Sequence, residues 1–227
     1  MQLMQNEFYH LVNRGVDKRV VFLDDKDRLR FIHNLFSFND ADHSDNYIQP
    51  TRRSGKHEFK RRKNLVTIHA FALMDNHYHI LVSPMVEDGV SIFMKKINMG
   101  YTKYFNEKYK RTGTLWQGKY RKVMITKDSH FLYLPHYIHL NPLDYKFPEW
   151  RKGKVDNIEE AMEYLDSYRW SSHMDYSGIK NFPSIINTKL LKQIIGEGKK
   201  YYKNIGNIMS SKDWIDSCRV LESSIRK

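Results

Sequence analysis

The sequence predicts an α+β fold: a ferredoxin-like split β-α-β antiparallel sheet with helices on one face, plus a mainly helical C-terminal extension. Three observations carry that expectation. Hydrophobic periodicity alternates between two and about 3.6 in the order β-α-β-β-α-β plus one further helix. Two apolar runs are separated only by Asp75-Asn76, a dipeptide that suits a tight hairpin turn. Composition shifts at "FPEWRKGKV", residues 147–155, which places a domain edge there and divides the chain into 1–150 and 151–227.

Taken in order, "EFYHLVNRG" (7–15) alternates apolar and polar residues and ends in glycine, so it reads as a strand. "DDKDRLRFIHNLFSF" follows as a helix, with Asp24 or Asp25 as cap and Leu29, Ile32, Leu35 and Phe36 at helical spacing. Residues 39–63 are polar and basic and read as a long inserted loop. "LVTIHAFALM" (65–74) is a buried strand and "HYHILVSP" (77–84) its hairpin partner. Residues 90–110 form a basic amphipathic helix through Ile92, Phe93, Ile97, Tyr101, Tyr104 and Phe105. "RTGTLWQG" is a loop bounded by Gly113 and Gly118, and "KYRKVMIT" (119–126) is the last strand. A final helix over 128–141 is stopped by Pro142, with Pro135 inside it requiring either a restart or a bend. Beyond it, "NIEEAMEYLDSY" and "TKLLKQIIGEG" have helical patterns.

The chain carries 38 Lys and Arg against 26 Asp and Glu, a formal charge of +12. That excess points to a polyanionic partner, most often nucleic acid. Residues 52–63 hold seven basic residues against one Glu. Residues 95–122 hold nine against one, interleaved with aromatics, a mixture that suits single-stranded nucleic acid. Arg14, Arg52, Arg53, Arg61, Arg62, Lys95, Lys96, Lys103, Trp116, Lys119 and Arg121 are the candidate contacts. One cysteine, Cys218, excludes an intramolecular disulfide and a Cys-rich zinc site. No run approaches the roughly 18 apolar residues of a membrane span. The expected setting is cytoplasmic and nucleoid-associated, with no membrane partner.

The chemistry concentrates in "DNHYHILVS". On a strand, His77 and His79 point the same way and Tyr78 the other. Two imidazoles converging from one strand form half of a divalent-metal site, although a polar sheet edge has the same pattern. In "HYIHLNP", Tyr137 and Asn141 are four apart and share a helix face, while His139 lies about 200° around the helix from Tyr137. A phenol beside a metal can attack a phosphodiester, and an amide oxygen can be a third ligand. Two histidines without a third strong ligand or an evident general base speak against a zinc hydrolase.

"NHYHILV" resembles the histidine–hydrophobic–histidine signature of the HUH nucleases. With "YIHLNP", "YHLVNRG", "LWQGKYRKVMI" and "YRWSSHMDYSG" in order over most of residues 8–178, the chain resembles the single-tyrosine transposases of small IS200-like insertion sequences. The longer chain and the "WSS" segment are most similar to the REP-associated tyrosine transposases. The resemblance implies His77, His79 and Asn141 as ligands of Mg²⁺ or Mn²⁺ and Tyr137 as nucleophile. It implies cleavage of single-stranded DNA beside a hairpin through a 5′-phosphotyrosine, followed by strand transfer. A non-catalytic hairpin DNA- or RNA-binding regulator derived from a transposase is the alternative. A homodimer is left open, with Tyr137 acting in its own subunit or in its partner's.

Overall fold

A computed structural model describes residues 7–42, 62–209 and 211–226. Four strands form the sheet: β1 (Tyr9–Arg14), β2 (Val66–Met74), β3 (His77–Pro84) and β4 (Arg121–Met124). Their order is β2-β3-β1-β4 with every pairing antiparallel, the arrangement expected of a split β-α-β unit. Met74 pairs with His77, so Asp75 and Asn76 alone make the hairpin turn. That turn is anchored from outside: Asp75 O accepts from the backbone N–H groups of Val21 and Phe22, and Asn76 O from Gly15. The chain passes so close at Gly15 that a Cβ there would lie 2.4 Å from Arg19 O, which explains the glycine.

Helices α1 (Asp25–Ser37) and α2 (Gly89–Lys108) share one face of the sheet. Asp24 caps α1 by accepting from Asp27 N at 2.9 Å. The buried stripe of α1 contains Asp27, Phe31, Ile32, Asn34 and Leu35, whereas the expected core residues Leu29 and Phe36 are exposed. The stripe is rotated because Asp27, fully buried, joins the two helices. It accepts from Lys108 Nζ at 2.7 Å, Tyr104 Oη at 3.0 Å and Tyr109 Oη at 2.7 Å. On α2, Phe93, Met94, Ile97, Tyr101 and Phe105 are buried, and Ile92 is exposed. Tyr78 points to this face, its ring 5.0 Å from Phe31 and its hydroxyl donating to Asn98 Oδ1 at 2.9 Å.

The opposite face is covered by α3 (Asp128–Leu140) and by the residues that follow. Pro135 lies inside α3 without dividing it. Helix α4 (Ile158–Ser167), capped by Asn157, and α6 (Lys189–Ile195) occupy the two expected helical segments of the extension. Helices α5 (His173–Ser177), α7 (Gly198–Met209) and α8 (Lys212–Arg226) complete it. The extension is hydrogen-bonded to the outer edge of β2. Leu73 N donates to Trp170 O, Ser172 N to Phe71 O and Asn187 N to Ile68 O. Cover on both faces explains why β2 reads as a mainly apolar run interrupted only by Thr67 and His69. The boundary expected at 150 falls on Trp150, which is fully buried with its ring 5.8 Å from Trp214 of α8 and 6.0 Å from Tyr137. Among the described residues no helix is long and apolar enough to cross a membrane.

Candidate active site

Strand alternation places His77 and His79 on the α3 face, opposite Tyr78. A third imidazole stands behind them. His79 is paired across the ladder with Val12, which brings His10 of β1 alongside on the same face. His10 Nε2 and His79 Nδ1 are 3.0 Å apart, and His77 Nδ1 is 2.6 Å from Asn76 Oδ1. Each strand histidine is thus held through Nδ1, and among the described residues neither Nε2 has a hydrogen-bond partner. Burial pushes His10 and His77 down to about 3, helped at His77 by the positive charges of Arg14 and Arg151. Burial, then the neighbouring imidazoles and the same arginines, hold His79 well below its ordinary value. At neutral pH both imidazoles are uncharged, the form that donates a lone pair to a metal.

Helix α3 brings Tyr137 across to this pair. Its ring lies 5.7 Å from that of His79 and 6.4 Å from that of His10, within one chain. Burial raises the Tyr137 phenol to about 12; the charge of Arg151 and its hydrogen bond to the phenol oppose this, and Glu222 adds to it. One turn later, Asn141 Nδ2 donates to Tyr137 O at 2.6 Å, fixing the amide. Its Oδ1 accepts from Arg151 Nη2 at 2.8 Å. Arg151 is itself tied to Asp144 and, at 2.7 Å, to Glu222, and its guanidinium carbon lies 5.6 Å from the centre of the Tyr137 ring.

His77, His79, Tyr137, Asn141 and Arg151 all line one cavity of about 740 Å³. Two neutral imidazoles with spare Nε2 atoms and one amide oxygen fit a divalent cation of borderline hardness. Among the described residues no group of three or more His, Cys, Asp and Glu forms a fuller ligand set. A cation here would therefore complete its shell with oxygens from outside the protein, such as water or phosphate.

The candidate nucleic-acid contacts separate by place. Arg14, Lys119 and Arg121 line the cavity, joined by Lys18 and Gln117, which the sequence reading did not single out. Lys95, Lys96 and Lys103 lie on α2, across the sheet; Lys96 Nζ there donates to Asp40 O. Arg62 stacks on Phe36 and hydrogen-bonds its carbonyl at the end of α1. Trp116 is corrected to a core residue: it is 7% exposed, packs on Tyr78, Tyr101 and Phe31, and donates its indole N–H to Asn98 O. A base cannot stack on a ring whose surroundings are already filled. Arg52, Arg53, Arg61 and most of the loop 39–63 lie outside the described residues. His10 and Arg151 were missed. Alternation in "YHLVNR" places His10 on the same face as Val12, but nothing in sequence spacing points to Arg151.

No curated protein matches the chain. Among solved structures, one titled "Structure of the REP associates tyrosine transposase bound to a REP hairpin" is similar at 12% identity and a TM-score of 0.47, over 80% of this chain and 85% of that one. The stretch that contains the strand histidines, Tyr137 and Asn141, residues 44–141, matches the model of the family described as "Transposase IS200 like".

Proposed function

We propose that this protein is a metal-dependent single-stranded DNA endonuclease and strand transferase that works beside DNA hairpins. One observation carries the reading: a buried phenol, two neutral imidazoles and an amide oxygen share a single cavity within one chain. Mg²⁺ or Mn²⁺ bound by His77, His79 and Asn141 supplies Lewis acidity toward a phosphodiester oxygen. Asn76 and His10 hold the two imidazoles in the tautomer that leaves Nε2 open. Tyr137 Oη attacks phosphorus, the bond to the 3′-oxygen breaks, and the proton lost by the phenol is balanced by the one that the departing 3′-oxygen takes up to become a hydroxyl. The phosphotyrosine retains the bond energy, so the reverse attack by a 3′-hydroxyl rejoins strands without ATP. Arg14, Lys18, Lys119 and Arg121, lining the same cavity, hold the strand's phosphates.

On this reading Tyr137 acts within its own subunit, beside the imidazoles with which it shares the cavity. The test is incubation of the full chain with hairpin-bearing single-stranded DNA and Mn²⁺. The wild type forms a covalent protein–DNA adduct, and Tyr137→Phe forms none while still binding the DNA. Adducts that persist in Tyr137→Phe remove the tyrosine from its role. Absence of nicking by the wild type across many hairpins favours a binding regulator instead.

A further inference from the structure

Five cations line the cavity, Arg14, Lys18, Lys119, Arg121 and Arg151, against two carboxylates, Asp144 and Glu222. Both carboxylates are ion-paired to Arg151. The three groups that fit a cation are uncharged donors, and Arg151 donates to one of them, Asn141 Oδ1, at 2.8 Å. Arg151 comes from the 3₁₀ turn Pro148–Lys152, beyond the residues that match the family model. A guanidinium and a divalent cation sharing one amide oxygen repel at short range.

We propose, on the metal reading above, that Arg151 is a positioning residue that couples metal to DNA. Its hydrogen bond orients Asn141, and its charge holds the divalent cation off while the cavity contains no DNA. A phosphodiester entering the cavity offsets that charge and offers oxygen ligands, so metal and strand load together. The coupling is reciprocal: metal tightens DNA by the factor by which DNA tightens metal.

The experiment measures Mn²⁺ affinity of the full chain by electron paramagnetic resonance, with and without single-stranded oligothymidine as phosphodiester probe. In the DNA-free protein Arg151→Gln binds Mn²⁺ about tenfold more tightly than wild type. The tightening produced by oligothymidine shrinks in that variant. Arg151→Lys, which keeps the charge, stays near wild-type affinity. Glu222→Gln, which removes a compensating carboxylate, binds Mn²⁺ more weakly. Unchanged or weaker binding by folded Arg151→Gln overturns the proposal, as does a Lys variant that follows the Gln one. Should Arg151→Gln not fold, Glu222→Gln decides, and unchanged or tighter Mn²⁺ binding there overturns it. His77→Ala separates the two readings. If it keeps Mn²⁺ affinity the metal site itself is wrong; if it loses affinity while the Arg151 and Glu222 variants do not move, only the coupling is wrong.

Discussion

Helix α3 separates two sets of buried or half-buried histidines that look alike in sequence and differ in what their nitrogens do. On the extension side, His139 Nε2 meets Ser172 Oγ at 2.8 Å and its Nδ1 meets Tyr201 Oη at 2.7 Å. His173 continues the chain from Tyr201 Oη to Asp166, each at 3.1 Å. Every nitrogen of these two rings is used by the protein. On the cavity side, His77 and His79 use only Nδ1, and both rings line the cavity. Completed hydrogen bonding marks a ring that holds the fold together, and a spare nitrogen beside open space marks one that can hold a ligand. Spacing gave His139 its exclusion from the site, and its bonds show the job it has instead.

The largest expected effect is common to both sides. Burial pushes His10, His77 and His136 down to about 3 and His69 to about 4. Unfolding returns each to an ordinary value near 6.5, so between about 3 and 6.5 the unfolded chain binds more protons than the folded one. Stability is therefore fully present above pH 6.5 and falls as pH drops through that window. Urea unfolding of metal-free protein should show a loss of several kcal/mol between pH 7 and pH 5. A flat profile there would mean that these rings are solvated or already charged in the folded state.

A smaller effect divides the two sets. His139→Ala leaves Tyr201 Oη and Ser172 Oγ short of a partner and opens a hole in the core, costing about 2–4 kcal/mol with Mn²⁺ binding retained. His79→Ala should cost about 1 kcal/mol, chiefly through the orphaned His10 nitrogen, and abolish Mn²⁺ binding. Denaturant midpoints and metal titrations on both variants decide. The distinction collapses if His79→Ala is the more destabilising change and still binds the metal.

Legibility followed periodicity. Strand pairing, the two-residue hairpin and the shared direction of His77 and His79 are consequences of alternation, and α3 with Tyr137 and Asn141 on one face is a consequence of helical spacing. The failures have a different origin. Leu29 and Phe36 are exposed because a buried aspartate, invisible to a hydrophobic pattern, sets the inner face of α1. Trp116 is core because a loop residue's surroundings are decided by elements distant in sequence. Arg151 enters the site from a turn that composition alone marks as a domain edge, and only tertiary packing of Trp150 aims it inward.

The smallest effect asks which side of the sheet meets nucleic acid. Arg14, Lys119 and Arg121 are exposed at the cavity, whereas Lys95, Lys96 and Lys103 project from α2 on the far face. Each phosphate contact on a single strand adds about 0.7 to the slope of log affinity against log salt. Replacing Arg14, Lys119 and Arg121 together with glutamine should flatten that slope by about two. The same change at Lys95, Lys96 and Lys103 should leave it nearly unchanged. Fluorescence anisotropy with a labelled hairpin-bearing strand across a salt series reads both slopes. Equal flattening by the two sets would mean that the strand wraps around both faces.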